Sequence, residues 1–250
     1  MEFDLTGRVA FVTGASSGLG RRFAMVLAEA GADVAISGRR AARLAGLRAE
    51  IEGLGRKCVG VPLDVTDGAA IAPAFDAAEA ALGPVDILVN NAGMNVQSLA
   101  VDMKVADFDS VIATNLRGPF LLATEAGRRM IARGKGGRVV NIASIGALRV
   151  LPGLAAYCVS KAGLAMMTQC LAREWARHGI NVNAICPGYI ETELNSAWFQ
   201  SEAGQKQVRS FPRRRLGQEA DLDGMLLLLA SGASRAITGS LLTVDDAQSL

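Results

Sequence analysis

One histidine, two tyrosines and four cysteines in 250 residues leave few side chains for nucleophilic, metal or redox chemistry. The lone His178 has no partner histidine, and Cys58, Cys158, Cys170 and Cys186 show neither a C-x-x-C pair nor metal-ligand spacing. No metal site is expected, and the four thiols read as free and mostly buried. His178 stands just before Gly179 at an expected helix end, where a partly positive imidazole would suit the negative pole of the dipole. An excess of charge is missing too: 26 basic residues face 24 acidic ones, spread along the chain, which leaves no electrostatic footprint for nucleic acid. The Arg213-Arg214-Arg215 cluster is the local exception and reads as a solvated loop. Long apolar runs are also lacking. Leu226 to Leu229 is far too short to span a bilayer, and Met1-Glu2-Phe3-Asp4 carries acids where a signal peptide needs bases. A cytoplasmic protein with no membrane partner is expected.

Half of the residues are hydrophobic, enough for a substantial core in a single domain. Short β-rich runs recur at Val9 to Thr13, Asp33 to Ser37, Lys57 to Leu63, Val85 to Asn90, Arg138 to Ile142, Asn181 to Ile185 and Leu241 to Val244. Helical spacing lies between them, most clearly at Leu44, Leu47, Ile51 and Leu54, with Arg43, Arg48, Glu50 and Glu52 left to face water. This alternation predicts an α/β fold, a doubly wound parallel sheet of seven strands with helices on both faces. The stretch 193–217 breaks the alternation and mixes Trp198, Phe199, Gln200 and Phe211 with polar residues, as a substrate-binding lid would.

Tyr157 and Lys161 stand four residues apart in an apolar, Ala-rich stretch, which places phenol and ammonium on one helical face, with Ser144 upstream at the end of a Val-Val-Asn-Ile run. A tyrosine ordinarily titrates near pH ~10, and a neighbouring cation is expected to bring it closer to neutrality. Such a phenol can trade protons with an alcohol or a ketone. Directly after the first strand comes Thr13-Gly14-Ala15-Ser16-Ser17-Gly18-Leu19-Gly20, followed by an amphipathic helix from about Arg21 to Ala30. Glycines let the backbone approach a pyrophosphate, and the helix start offers unpaired N–H groups to an anion. Strand two ends in Ser37-Gly38-Arg39-Arg40, with no carboxylate at the position that would hold a ribose 2′-hydroxyl. Arg39 can instead fork onto a 2′-phosphate, so NADP(H) is expected and NAD is disfavoured.

The glycine spacing Gly-x3-Gly-x-Gly, the Asn90-Asn91-Ala92-Gly93 motif, Asn115, Ser144, Tyr157-x-x-x-Lys161 and Pro187-Gly188 follow one another in an order that resembles the short-chain dehydrogenase/reductases, over nearly the whole chain. The resemblance implies a Rossmann-type fold and a catalytic set of Asn115, Ser144, Tyr157 and Lys161. In it, Tyr157 is general acid/base, Ser144 holds the carbonyl oxygen, Lys161 lowers the phenol's pKa and binds the nicotinamide ribose, and Asn115 orders a water linking Lys161 to solvent. It also implies that Gly14, Ser16, Ser17, Gly18, Leu19 and Gly20 surround the pyrophosphate and that Asp64 and Val65 flank the adenine. Asn91, Ala92 and Gly93 would line the ribose, and Gly188, Ile190 and Thr192 the carboxamide. Met94, Val96, Leu148, Val150, Leu154, Trp198 and Phe199 are the candidate substrate wall, suited to an apolar ketone or alcohol of moderate size. The two long helices, about Asp107 to Arg133 and Tyr157 to His178, and the C-terminal segment Leu241 to Leu250 suggest a homo-oligomer, dimer or tetramer. An alternative is a 3-oxoacyl reductase acting on an acyl carrier protein or coenzyme A, with Arg133 and Lys135 as a basic surface and His178 where a carrier-gripping base would stand. Another is a silent NADP(H)-sensing protein, against which the intact Ser-Tyr-Lys set argues.

Overall fold

The computed structural model describes residues 3–191 and 195–250. Seven parallel strands form one sheet in the order β3-β2-β1-β4-β5-β6-β7. They are β1 Val9–Val12, β2 Asp33–Gly38, β3 Cys58–Pro62, β4 Ile87–Asn90, β5 Gly137–Ile142, β6 Ile180–Pro187 and β7 Leu241–Val244. The expected strands are all present, within one to two residues at their ends. β1 and β6 are buried at every residue, as befits strands covered on both faces.

Helices α1 Gly18–Glu29 and α2 Ala41–Gly53 cover one face. Helices α3 Gly68–Leu82, α4 Val105–Ile112, α5 Gly118–Arg133 and α6 Ala155–Trp175 cover the other. Two short helices, α7 Ser196–Gln200 and α8 Glu202–Ser210, follow β6, and α9 Asp223–Ala230 joins α1 and α2. Period-two alternation in β1 splits the core: Val9 and Phe11 pack with Phe75, Leu122, Leu164 and Trp175, whereas Ala10 and Val12 pack with Phe23, Leu27, Leu44 and Leu226.

Two boundaries differ from expectation for local reasons. The first helix starts at Gly18, not Arg21, because its opening turn is made of the loop's own small residues and shows no apolar period. The long helix from Asp107 is interrupted by a π turn at Ala113–Arg117 around the buried Asn115, the kink that a poor helix former in mid-helix had suggested. Leu44, Leu47 and Ile51 are buried as expected, while Leu54 follows the last turn of α2 and is exposed.

The strand order reverses between β1 and β4, which opens a crevice at their carboxyl ends. A buried polar chain fixes the depth of β4 there. Asn90 Nδ2 donates to Asn141 Oδ1 at 2.9 Å, and Asn141 Nδ2 donates to Thr168 Oγ1 at 2.8 Å, tying β4, β5 and α6. The Asn90 Oδ1 is left buried without a partner among the described residues, so this chain pins register at some cost in polar satisfaction.

Candidate active site

The glycine loop is built against β4. Thr13 Oγ1 accepts from the N–H groups of Asn91 and Ala92 at 2.9 and 3.1 Å, and Asn91 Nδ2 donates to Thr13 O at 2.9 Å. The Asn91 side chain, expected along the ribose, is thus a strut for the loop. A Cβ on Gly20 would lie 2.3 Å from Gly14 O and 2.4 Å from Asn91 Nδ2, and Gly14 holds φ +67°. Only glycine fits at both positions. Ser17 precedes α1 in an extended conformation and makes no side-chain cap, so the first N–H groups of the helix face the crevice with the positive end of the dipole. A pyrophosphate suits this cradle.

At the end of β2 the two arginines separate. Arg40 donates to Ser16 Oγ at 3.0 and 3.1 Å and to Ser17 Oγ at 2.5 Å, placing a guanidinium across the loop. Arg39 is 80% exposed and stands 3.9 Å from Asp64. The expectation that no carboxylate is available there therefore needs correction: Asp64 arrives from the end of β3, a neighbour in the sheet and not in the sequence. Its carboxylate also accepts from Thr66 N and Oγ1, and these bonds hold it below the usual range. Val65 is buried and packs on Gly118, where a Cβ would meet Val65 O at 2.9 Å.

On the other side of the crevice, Ser144 lies just beyond β5 and accepts from Gly146 N–H at 3.0 Å. Gly146 sits between Ser144 Oγ and the Tyr157 ring, each 3.4 Å from where its Cβ would be. Tyr157 and Lys161 lie one turn apart on α6, with Lys161 Nζ 5.7 Å from the centre of the Tyr157 ring and donating to Ile142 O at 2.7 Å. Burial raises the phenol above its ordinary 10.0, and hydrogen bonding with Ser144 opposes the rise. The lysine was expected to lower the phenol. In this structure it lies toward the ring and the carbonyl, so Ser144 is the opposing partner. Lys161 itself is buried, and desolvation pulls its ammonium down from 10.5 to about 8. Asn115 reads Met94 twice, accepting from its N–H and donating to its C=O, both at 2.8 Å, and donates to Ser160 Oγ at 3.1 Å. Ser160 in turn donates to Tyr157 O at 2.7 Å.

After β6, Gly188 and Tyr189 are half-buried and Ile190 is buried; Thr192 and the start of the 193–217 lid lie outside the described residues. Tyr189 stacks on Phe211 with centres 5.3 Å apart and meets Phe199 edge-on at 5.9 Å. Phe199, proposed for the substrate wall, is only 3% exposed and serves as the small core under α7 and α8. Leu154 pairs with Ser98 in an isolated bridge, which brings its segment beside Gln97 and Ser98; Leu148 and Trp198 are exposed and Val150 is 82% exposed.

Arg213 and Arg214 are exposed, as a solvated loop would have them, while Arg213 stands 3.4 Å and Arg215 2.5 Å from Asp246. Arg133 turns to Asp86 at 3.0 Å instead of forming a basic surface. His178 Nε2 accepts from Arg177 Nε at 3.1 Å. Among the thiols, Cys58 and Cys186 are buried while Cys170 is exposed. Arg40, expected only as a companion charge to Arg39, and Cys186, expected only as a buried thiol, both stand at the site. Arg40 was legible as the second base after strand two. Cys186 carried no signal, although its thiol meets the Ser144 N–H under the site.

A doubly wound sheet with a phosphate cradle at its switch point and a phenol–lysine pair across the crevice defines a nucleotide-dependent oxidoreductase. The chain belongs to the short chain dehydrogenase family, whose model matches residues 8–203, and is an NAD(P)-dependent oxidoreductase. It is 36% identical over 244 residues to gluconate 5-dehydrogenase of Gluconobacter oxydans (strain 621H), covering 97% of this chain and 95% of that one. It is also 36% identical over 246 residues to a 3-oxoacyl-acyl-carrier-protein reductase of Aquifex aeolicus (strain VF5), covering 98% of each. The crystal structure of a gluconate 5-dehydrogenase from Burkholderia cenocepacia J2315, in complex with NADP and tartrate, superposes with a TM-score of 0.94 at 36% identity, over 99% of this chain and 97% of that one.

Proposed function

We propose that the protein is an NADP-dependent reductase of a small hydroxylated ketone, of the kind formed by oxidising a gluconate-type secondary alcohol, working in both directions. The observation that carries the reading is the Tyr157, Lys161 and Ser144 group, facing the phosphate cradle across one crevice. NADPH, when bound, supplies the hydride to the carbonyl carbon. Tyr157 donates its proton to the carbonyl oxygen, and Ser144 Oγ holds that oxygen by hydrogen bond. Lys161 binds the ribose side of the cofactor and keeps positive charge beside the phenol as it loses its proton. Asn115 Oδ1 has a second lone pair for the water that links Lys161 to solvent.

The cofactor's 2′-phosphate is assigned to Arg39 and Arg40 together with Ser16. Arg40 already lies on Ser16 and Ser17, which supplies a base to a loop whose own sequence has none. The hydroxylated substrate class is favoured by the gluconate dehydrogenases among the relatives; this replaces the apolar ketone as the leading choice. An acyl carrier is not favoured, since Arg133 is spent on Asp86 and His178 on Arg177. The exposed Val105, Phe108, Phe120, Val159 and Met166 on α4, α5 and α6 support a homo-oligomer.

Tyr157→Phe keeps the ring and removes the proton, so turnover of 5-ketogluconate with NADPH should fall by roughly 10²–10⁴-fold while NADPH still binds. Full turnover in that variant would remove the assigned acid. An apolar cyclic ketone reduced faster than 5-ketogluconate would overturn the substrate class.

A further inference from the structure

The loop after β6 is held from three directions, two of them far along the chain. Gly188 N–H donates to Val244 O at 3.1 Å, and Tyr189 C=O accepts from Gly217 N–H at 2.9 Å. Tyr189 N–H donates to the side-chain Oε1 of Gln248 at 2.6 Å. Gln248 is 6% exposed, and its other groups are equally committed. Its C=O accepts from Arg149 at 2.8 Å, and its Nε2 donates to Arg215 O at 3.4 Å. One glutamine thereby joins the loop after β6, the segment after Ser144 and the segment behind α8.

The turn that delivers this side chain is strained. Asp246 and Ala247 hold φ of 51° and 64°, a left-handed pair that suits Asn-Gly better than Asp-Ala. Such a conformation persists only where its surroundings over-determine it. Here the Asp245 carboxylate accepts from the N–H groups of Ala247 and Ser249 at 3.0 and 2.8 Å, while Arg213 and Arg215 hold Asp246. Across the joint, a Cβ on Gly188 would fall 2.3 Å from Gln248 Oε1 and 2.7 Å from Asp245 Cβ, so the tail is what demands glycine there. The recess between tail and loop holds ≈ 20 Å³, room for about one water, which makes it a joint and not a second ligand site.

We infer that the Asp245 to Gln248 turn is a latch that fixes Gly188 to Ile190 in the geometry the nicotinamide half of the cofactor requires, with Gln248 as its positioning residue. This rests on the reading above, in which that loop meets the nicotinamide. Without the Oε1 acceptor, the Tyr189 N–H has no partner in the closed arrangement, and the cost falls on whichever half of the ligand needs that arrangement. The adenosine half is held by the glycine loop and the end of β2, which the latch does not touch.

The test compares NADPH with 2′,5′-ADP, which carries only the adenosine half and its 2′-phosphate, by titration of the purified protein. Gln248→Met keeps the volume and removes the acceptor; it should weaken NADPH about tenfold and leave 2′,5′-ADP within about twofold. Gln248→Glu keeps an oxygen for the Tyr189 N–H and should return NADPH to within about threefold of the wild type. Asp246→Gly frees the lid arginines but eases the left-handed turn, so it folds even if Gln248→Met does not, and should weaken NADPH selectively by about threefold. NADPH affinity equal to wild type in both Gln248→Met and Asp246→Gly overturns the latch. Equal losses for NADPH and 2′,5′-ADP overturn it too, since they mark a general structural role. A wild type that binds NADPH but not 2′,5′-ADP overturns the NADP reading and the latch with it, whereas intact 2′,5′-ADP binding with unaltered NADPH binding in the variants sinks the latch alone.

Discussion

The two loops that meet the ends of the cofactor crevice are secured in opposite ways. The loop after β1 is finished by its immediate neighbours: Thr13, Asn91 and Arg40 tie it to β4 and β2, and its bonds are made before any ligand arrives. The loop after β6 depends on Val244, Gln248 and Gly217, with a strained turn and a buried ammonium nearby. One side is a preformed cradle and the other is a coupled assembly. The difference teaches where binding energy is spent: the cradle needs none for ordering, and the assembly must hold costly groups in place until substrate uses them.

The sharpest way to break this comparison is to add one methyl group to each loop. In Gly20→Ala the new carbon meets Gly14 O at 2.3 Å, and backbone cannot yield, so about 3 kcal/mol of stability and the binding of both NADPH and 2′,5′-ADP should be lost. In Gly188→Ala the obstacles are the end of the Gln248 side chain at 2.3 Å and Asp245 Cβ and Cα at 2.7 and 3.0 Å, which belong to the tail and can shift with it. That variant should unfold later than Gly20→Ala, as thermal melts will register, and lose NADPH while retaining 2′,5′-ADP. Identical losses in the two glycine variants would mean that the loops are secured alike.

The same contrast explains what was legible in the residues. The cradle is written in adjacent letters, Thr13 to Gly20 and Asn90 to Gly93, and strand periodicity gave the sheet within one or two residues. Tyr157 and Lys161 were visible because helical spacing relates them. The Asp64 partner of Arg39 and the Gln248 partner of Tyr189 were not, since each arrives through strand order or a distant turn. Phe199 was misassigned because an apolar residue in a lid reads equally well as wall or as packing until Tyr189 and Phe211 are seen beside it. Gly188 was expected beside the carboxamide; the closest obstacles to a side chain there, Gln248 and Asp245, come from a distant turn that no local spacing announces.

The buried ammonium measures how much unfavourable energy the second side holds. Below pH 8 both folded and unfolded chains carry the Lys161 charge, and the folded state bears the whole desolvation cost. Between pH 8 and 10.5 the unfolded chain binds more protons than the folded one, so this group makes stability rise with pH. Tyr157 and Cys186, both raised by burial, act in the opposite sense; comparison with a Lys161 variant cancels the tyrosine, whereas the thiol, which the ammonium pulls down, rises further without it. Lys161→Met should therefore be more stable than the ligand-free wild type at pH 7. The gap should close by about 3 kcal/mol toward pH 10.5 in urea titrations, whereas a gap that ignores pH would show that the charge is not penalised.

The smallest effect belongs to the preformed side, where two arginines share one task unequally. Arg40 is fixed on Ser16 and Ser17, while Arg39 stands exposed near Asp64 and gains little from that pair. A 2′-phosphate would draw Arg39 from Asp64, and its two charges would then be met by two guanidinium groups. Arg39→Asp places a second carboxylate beside Asp64 and should raise KM for NADPH by about tenfold with little change for NADH. Arg40→Ala removes the strap as well as the charge, so it should weaken both cofactors, NADPH more. If Arg39→Asp affected NADH as much as NADPH, the phosphate would have to be met by Arg40 alone, and the preformed strap would be the whole of the selectivity device.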